Sequence, residues 1–168
     1  MKVYKAGDKY IAIHTRGNTV YSAQGSSEEE AESKVYEMIK KQESMKQEEQ
    51  SLLLKDLCAR LPYGLIALKN KDSYRIRGIK DDFVIIKERA VYGEKEWITK
   101  IETIKPYLRP MSSMTEEEEF EYHNVCISPI NHQWDVTNWL NAHHFDYRGL
   151  IEKGLAIAVT EENNPYKE

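Results

Sequence analysis

Glycine and proline divide this chain unevenly. They punctuate residues 7–25 and 62–110, whereas the stretch 26–61 contains neither. That stretch is rich in Glu, Lys, Gln, Met and Leu, all good helix formers. The punctuated stretches suit short strands joined by turns. An α+β chain follows, with strands grouped on either side of helical sequence rather than alternating with it.

The first unit is expected over residues 1–48. KVYKA alternates polar and apolar residues, Gly7-Asp8 turns, KYIAIHT alternates again, Gly17-Asn18 turns, and TVYSAQ is a third extended segment. Gly25 breaks it. Ser26 or Ser27, with Glu29 or Glu30, makes a capping box, and EEEAE places acid in the first helical turn, where the helix dipole favours it. Ala31, Val35, Met38 and Ile39 then recur at helical spacing. The unit is an antiparallel ββ(β)α arrangement, too small to be robust alone. Residues 40–50 have almost no apolar content and are expected to continue as a helical connection.

The second unit is expected over residues 49–168. Leu53, Leu54, Leu57, Cys58 and Leu61 mark an amphipathic helix that Pro62 and Gly64 end. LIALK, SYRIRGI, DFVIIKE, KEWITK and IETI follow, separated by turn signals. Short strands at such spacing predict a small curled antiparallel sheet or barrel. Ser113 or Thr115 is placed to cap a helix in the acidic segment, VCISPINHQWD is expected to be strand and loop, and Asp135 is expected to cap VTNWLNAHH.

Eleven tyrosines and a hydrophobic fraction of 40% set the chain apart from disordered sequences, although 31% of it is charged. The net charge of −4 is unevenly spread: residues 1–51 carry −1, residues 52–110 carry +5 and residues 111–168 carry −8. The basic middle is suited to an anionic partner or to the chain's own acidic end. Cys58 and Cys126 have no metal-type spacing and are expected to be buried and reduced. The opening MKVYKAGDKYIAIH lacks the pattern of a signal peptide, and no apolar run is long enough for a membrane span, so a cytoplasmic protein is expected.

At LLLKDLCARLPYG, IKPYLRPMSSMTEEE and NWLNAHHFDYRGLIEKGLAI the sequence resembles a family of uncharacterised small proteins. That family recurs in gut bacterial genomes and in their prophages and mobile elements. The resemblance covers about residues 52–157. It implies a setting among accessory or phage genes, and it brings no catalytic residues to carry over. The first 50 residues lie outside it. Their strand–strand–helix order and SSEEEAESKVYEMI resemble small antitoxin-like partial ribonuclease-H folds.

Two clusters compete as sites. The first is basic: Lys69, Lys71, Arg75, Arg77 and Lys80, interleaved with Tyr74. On a strand Arg75 and Arg77 would face one side and Tyr74, Ile76 and Gly78 the other, so the arginines could contact phosphates. The alternative is an ordinary solvated face, with Asp72, Asp81 and Asp82 close by. The second cluster is NWLNAHHFDYRGLIEKGL. Here Asp135, Trp139, His143, Asp146 and Gly154 are expected to be structural residues of a helix corner, with Asp146 capping YRGLIEK and Gly154 closing it left-handed. A metal set drawn from His143, His144, Asp146, His132 and His123 lacks the HxxxH spacing that puts two ligands on one helix face.

No nucleophile, phosphate-cradle or dinucleotide motif is present. Cys126 with His123 or His132 lies in an apolar run unsuited to a reactive thiolate, and Glu116–Glu119 are consecutive, as at a solvated helix start. The sequence therefore points to a binding protein with no cofactor rather than to an enzyme, which would centre on His143 and His144. It favours a protein partner or a homodimer over nucleic acid, because the net charge is negative and the basic patch small.

Overall fold

A computed structural model of the chain describes residues 1–90, 93–127 and 133–167. Contacts divide the chain into Met1–Glu49 and Gln50–Glu168.

In the first unit β1 (Lys2–Ala6), β2 (Lys9–Arg16) and β3 (Thr19–Gly25) form an antiparallel sheet in that order. Gly25 has no room for a side chain: a Cβ there would stand 2.6 Å from the Ala31 nitrogen. The helix α1 (Glu28–Arg60) begins immediately after it. Of the capping choices the sequence left open, Ser27 and Glu30 are used. Ser27 Oγ accepts from the Glu30 N–H at 3.2 Å, and the Glu30 carboxylate takes the Ser26 N–H at 2.7 Å. Val3, Ala12 and Ala23 share one rung of the sheet. Ala12 packs with Ala31 and Val35 of α1 to make a very small core.

The second unit holds the main core. The last turns of α1 bring Leu53 and Leu57 into one cluster with Leu65, with Ala67, Ile76, Val84, Ile86 and Leu108 of the sheet, and with Ile101, Ile104, Leu150 and Ala156. Each fully buried Leu contributes about 2 kcal/mol by removal from water. As Pro62 and Gly64 predicted, α1 ends in a 3-10 turn, Leu61–Tyr63, closed by Gly64 in the left-handed region. The strands are β4 (Ile66–Lys69), β5 (Asp72–Lys80), β6 (Phe83–Ala90), β7 (Gly93–Lys100), β8 (Lys105–Leu108) and β9 (Ile157–Ala158). Their order is β7-β6-β5-β4-β8-β9, so the sheet is open rather than a closed barrel. All pairings are antiparallel except β8 with β9, which run parallel.

The helices α2 (Glu116–Ile127) and α3 (Gln133–Ala142) lie between β8 and β9 in the chain. Three expectations change here. Val125, Cys126 and Ile127, read as strand, belong to α2. A capping box in which Thr115 Oγ1 accepts the Glu118 N–H and Glu118 accepts the Thr115 N–H launches that helix. The remainder of the expected strand, residues 128–130, lies outside the described residues, as does His132. Asp135 sits inside the first turn of α3 and is not its N-cap, because the helix starts two residues earlier. Both cysteines, expected to be buried, are exposed. Cys58, one position after Leu57, falls beside the buried Leu53–Leu57 stripe of α1 rather than in it.

α1 is tied to the distant corner by charge. Asp56 and Arg60 are both completely buried. Arg60 Nε donates to Asp56 Oδ2 at 2.8 Å, Arg60 Nη2 to the Phe145 carbonyl at 2.7 Å, and Arg148 Nη1 to Asp56 Oδ1 at 2.7 Å. Asp56→Ala strands the Arg60 charge in the core, and it is expected to lower unfolding free energy by about 3–5 kcal/mol in urea. Arg16→Ala, which removes only an exposed pair with Glu43, should leave the midpoint nearly unchanged. A loss of less than about 1 kcal/mol for Asp56→Ala would show that the buried pair does not hold α1 in place.

Candidate functional site

One face of the six-stranded sheet carries the core, and the residues that alternate with it form the other. Ile76, Val84, Ile86 and Thr99 are buried on the first face. The pairing register therefore fixes three rungs on the second. They are Lys80–Phe83–Lys100, Gly78–Ile85–Ile98 and Arg75–Lys87–Glu96, running across β5, β6 and β7. Phe83 is 42% exposed and Ile98 70%. Lys80, Lys100 and Arg75 are exposed, and among the described residues none of them has an ion-pair partner. Lys105 of β8, opposite Leu68, adds a further cation on this face. The surface is thus an apolar strip with an exposed aromatic ring, edged by cations at both ends. Toward β8 it is bounded by the buried Tyr107, whose hydroxyl accepts from Ser73 Oγ at 3.2 Å across β4.

Of the basic residues read from the sequence, Arg75 and Lys80 belong to this face. Arg77 does not alternate as expected. A bulge between Ile76 and Gly78 leaves it without a partner in β6, and Ile79 rather than Gly78 returns to the side of Val84. Lys69 pairs with Asp72 at the end of the β4–β5 hairpin, and Lys71 is exposed in its turn. The sequence reading missed Phe83, Lys87, Ile98 and Lys100. The alternation in DFVIIKE and KEWITK gives their sidedness, but only the cross-strand register puts them beside Arg75 and Lys80.

The two histidines are parts of a corner. His143 stacks on Trp139 with ring centres 4.0 Å apart, and its Nδ1 lies 2.8 Å from the Trp139 carbonyl. His144 has φ +59, and its N–H donates to the Asn141 carbonyl while the Phe145 N–H donates to that of Leu140. These are the closing bonds of a left-handed helix cap, with histidine where glycine is usual. Its ring is held by Tyr166, stacked at 4.1 Å. The Tyr166 hydroxyl donates to the Tyr107 carbonyl at 2.9 Å and receives the Ile66 N–H at 3.3 Å.

Gly154, at φ +68, repeats the same closure on Ile151 and Leu150, as the sequence indicated. Asp146 caps, but it caps a succession of turns interrupted at Gly149 rather than a helix. Its carboxylate accepts the Leu150 and Ile151 N–H groups at 2.9 and 2.8 Å. Arg109 joins the corner to α2, bidentate on Glu118 at 2.5 and 2.7 Å and lying 4.2 Å from the centre of the Phe145 ring. Among the described residues no three His, Cys, Asp or Glu side chains are grouped to hold a metal, and no helix is long and apolar enough to cross a membrane.

A search of family models, of curated proteins and of solved structures finds no match to this chain.

The corner has its own pH dependence. Burial, reinforced by Arg60, His143 and Arg109 and opposed by Asp56, holds the His144 pKa down to about 4 from its usual 6.5. Its buried Nδ1 has no hydrogen-bond partner among the described residues, so nothing there accepts a second proton. The unfolded chain binds a proton below pH 6.5 that the folded chain refuses until about pH 4. Stability is therefore whole above pH 6.5, falls by about 3 kcal/mol toward pH 4 and levels off below. The Glu118 carboxyl, lowered chiefly by its hydrogen bonds with Arg109, loses its contribution only below pH 4.5. Urea midpoints at about pH 7 and 4.5 should differ clearly for the wild type and much less for His144→Gln. Equal slopes would assign the acid sensitivity to another group.

Proposed function

We propose that this chain is a non-enzymatic binding protein whose working surface is the open face of the second unit's sheet, and that this face takes nucleic acid. The observation that carries the reading is the register. It gathers Arg75, Lys80, Lys87 and Lys100 around Phe83, Ile85 and Ile98 on one side of three adjacent strands. Cations that follow a phosphate chain, with apolar and aromatic groups between them, are what a sequence-tolerant nucleic-acid surface requires. The sequence alone favoured a protein partner because its basic patch looked small. On the face Arg75 and Lys80 are joined by Lys87, Lys100 and Lys105 from strands distant in sequence, with Glu96 the one acidic residue of the three rungs. A setting among accessory or phage genes, as the family resemblance implies, is part of this reading.

A protein partner has its own support in the first unit. There the side of the sheet opposite Ala12 presents Tyr4, Ile11, Ile13 and Val20, with Tyr4 52% and Val20 62% exposed. A second copy of the chain meeting this face would relieve the small core of that unit.

Fluorescence polarisation of labelled DNA and RNA against the purified chain tests the main reading. With about four phosphate contacts, affinity should fall about 50- to 150-fold between roughly 50 and 200 mM salt. Arg75→Glu together with Lys80→Glu should abolish binding without changing the melting temperature. Absence of binding at the lower salt retires the nucleic-acid reading. For the first unit, sedimentation should show a dimer that Ile11→Lys plus Val20→Lys converts to a monomer. A wild-type monomer at high concentration retires the self-association.

A further inference from the structure

We infer that the open face ends in a subsite for a single splayed-out nucleobase, and that this subsite prefers bases carrying an exocyclic amino group. The inference rests on the reading of that face as a nucleic-acid surface and goes beyond it to the kind of strand bound.

A cleft of about 320 Å³ lies at the Lys80–Phe83–Lys100 end of the face, lined by Gln50, Asp82, Phe83, Lys100, Ile101 and Glu102. Its frame is fixed by backbone. The Ile101 N–H donates to the Asp82 carbonyl at 2.9 Å, joining the β5–β6 turn to the 3-10 turn that follows β7. Thr103 Oγ1 donates to the Lys100 carbonyl at 2.7 Å and lies 2.8 Å from Thr99 Oγ1. Ile101 is buried beneath the cleft. The Phe83 ring is spent neither on the core nor on a ring partner among the described residues, so its face is available for stacking.

The polar chemistry of the cleft separates a base from a phosphate. Asp82 is exposed, and its carboxylate has no partner among the described residues. Glu102 Oε2 accepts the Gln50 amide at 2.8 Å, which fixes a second carboxylate in the wall. Two carboxylates in the wall outnumber the one lining cation, Lys100, and oppose a phosphate inside the cleft, while Lys80, beside Phe83 on β5, attracts one to its rim. What a carboxylate accepts is an N–H, and cytosine, adenine and guanine offer amino groups. Thymine and uracil put carbonyl oxygens on either side of their single N–H, and these meet the carboxylates unfavourably. In a duplex those edges are paired and the ring faces stacked, so the cleft is closed to it.

The test uses the full chain and fluorescein-labelled twelve-residue oligo(dC), oligo(dA) and oligo(dT), with a mixed-sequence duplex of the same length. Oligo(dC) and oligo(dA) should bind about tenfold more tightly than oligo(dT) and than the duplex. Phe83→Ala should weaken the single strands about tenfold or more. Phe83→Leu, which keeps the apolar volume and so guards against misfolding, should weaken them as well. Asp82→Asn should keep binding but lose the preference over oligo(dT). If oligo(dT) or the duplex binds as well as oligo(dC), or if both Phe83 variants bind as the wild type does, the base subsite is wrong while the cationic face stands. If no oligonucleotide binds the wild type, the reading of the face fails and the subsite with it.

Discussion

The second unit depends on a fully buried carboxylate, Asp56, held between two arginines. Taking such charges out of water costs several kcal/mol each, and the cost is offset only where every strong acceptor finds a donor. Both oxygens of Asp56 do so, one with Arg60 and one with Arg148, and Arg60 reaches on to the Phe145 carbonyl. The partners lie 85 and 92 positions away in sequence. A chain in which α1 docks without the corner, or the corner without α1, leaves a charge stranded. The network thus makes one arrangement of these segments far better than its neighbours, which apolar packing alone does not guarantee.

That arrangement covers one side of the sheet and leaves the other to solvent over β5, β6 and β7, up to the buried Tyr107. Leucines from α1 and the segment Leu150–Ala156 take the side of Ile76, Val84 and Ile86. The opposite side is then free of packing requirements and can collect Lys80, Lys87, Lys100 and Arg75 at little cost in stability. The bulge at Arg77 shifts the alternation by one residue, so that Ile76 and Ile79 both reach the buried side. A regular strand would have placed Gly78 there and left a gap.

Much of the fold was legible because local rules act within a few residues. Pro62 with Gly64, Ser27 with Glu30, and Gly154 all terminate or close elements where their chemistry says they should. Three features were not legible. The apolar run containing Cys126 resembles a strand, yet the Thr115–Glu118 capping box and the acid that follows it start a helix that runs through it. Nothing local marks His144 as a left-handed residue, since it is kept there by Tyr166, twenty-two positions later. The burial of Asp56 and Arg60 is equally hidden, because two charges at helical spacing ordinarily describe an exposed ion pair.

The sequence by itself marked where most helices start or stop and where most strands turn, because helix capping and turn formation need only near neighbours. Tertiary structure decided which strands lie together, and so which side chains share a surface. Lys80, Phe83 and Lys100 form one rung only because β6 pairs with β5 on one side and β7 on the other. A side chain's own strand gives the direction in which it points, but its neighbours across the sheet come from hydrogen bonds between segments. The charge of a surface is for that reason a property of the folded sheet rather than of any stretch of the chain.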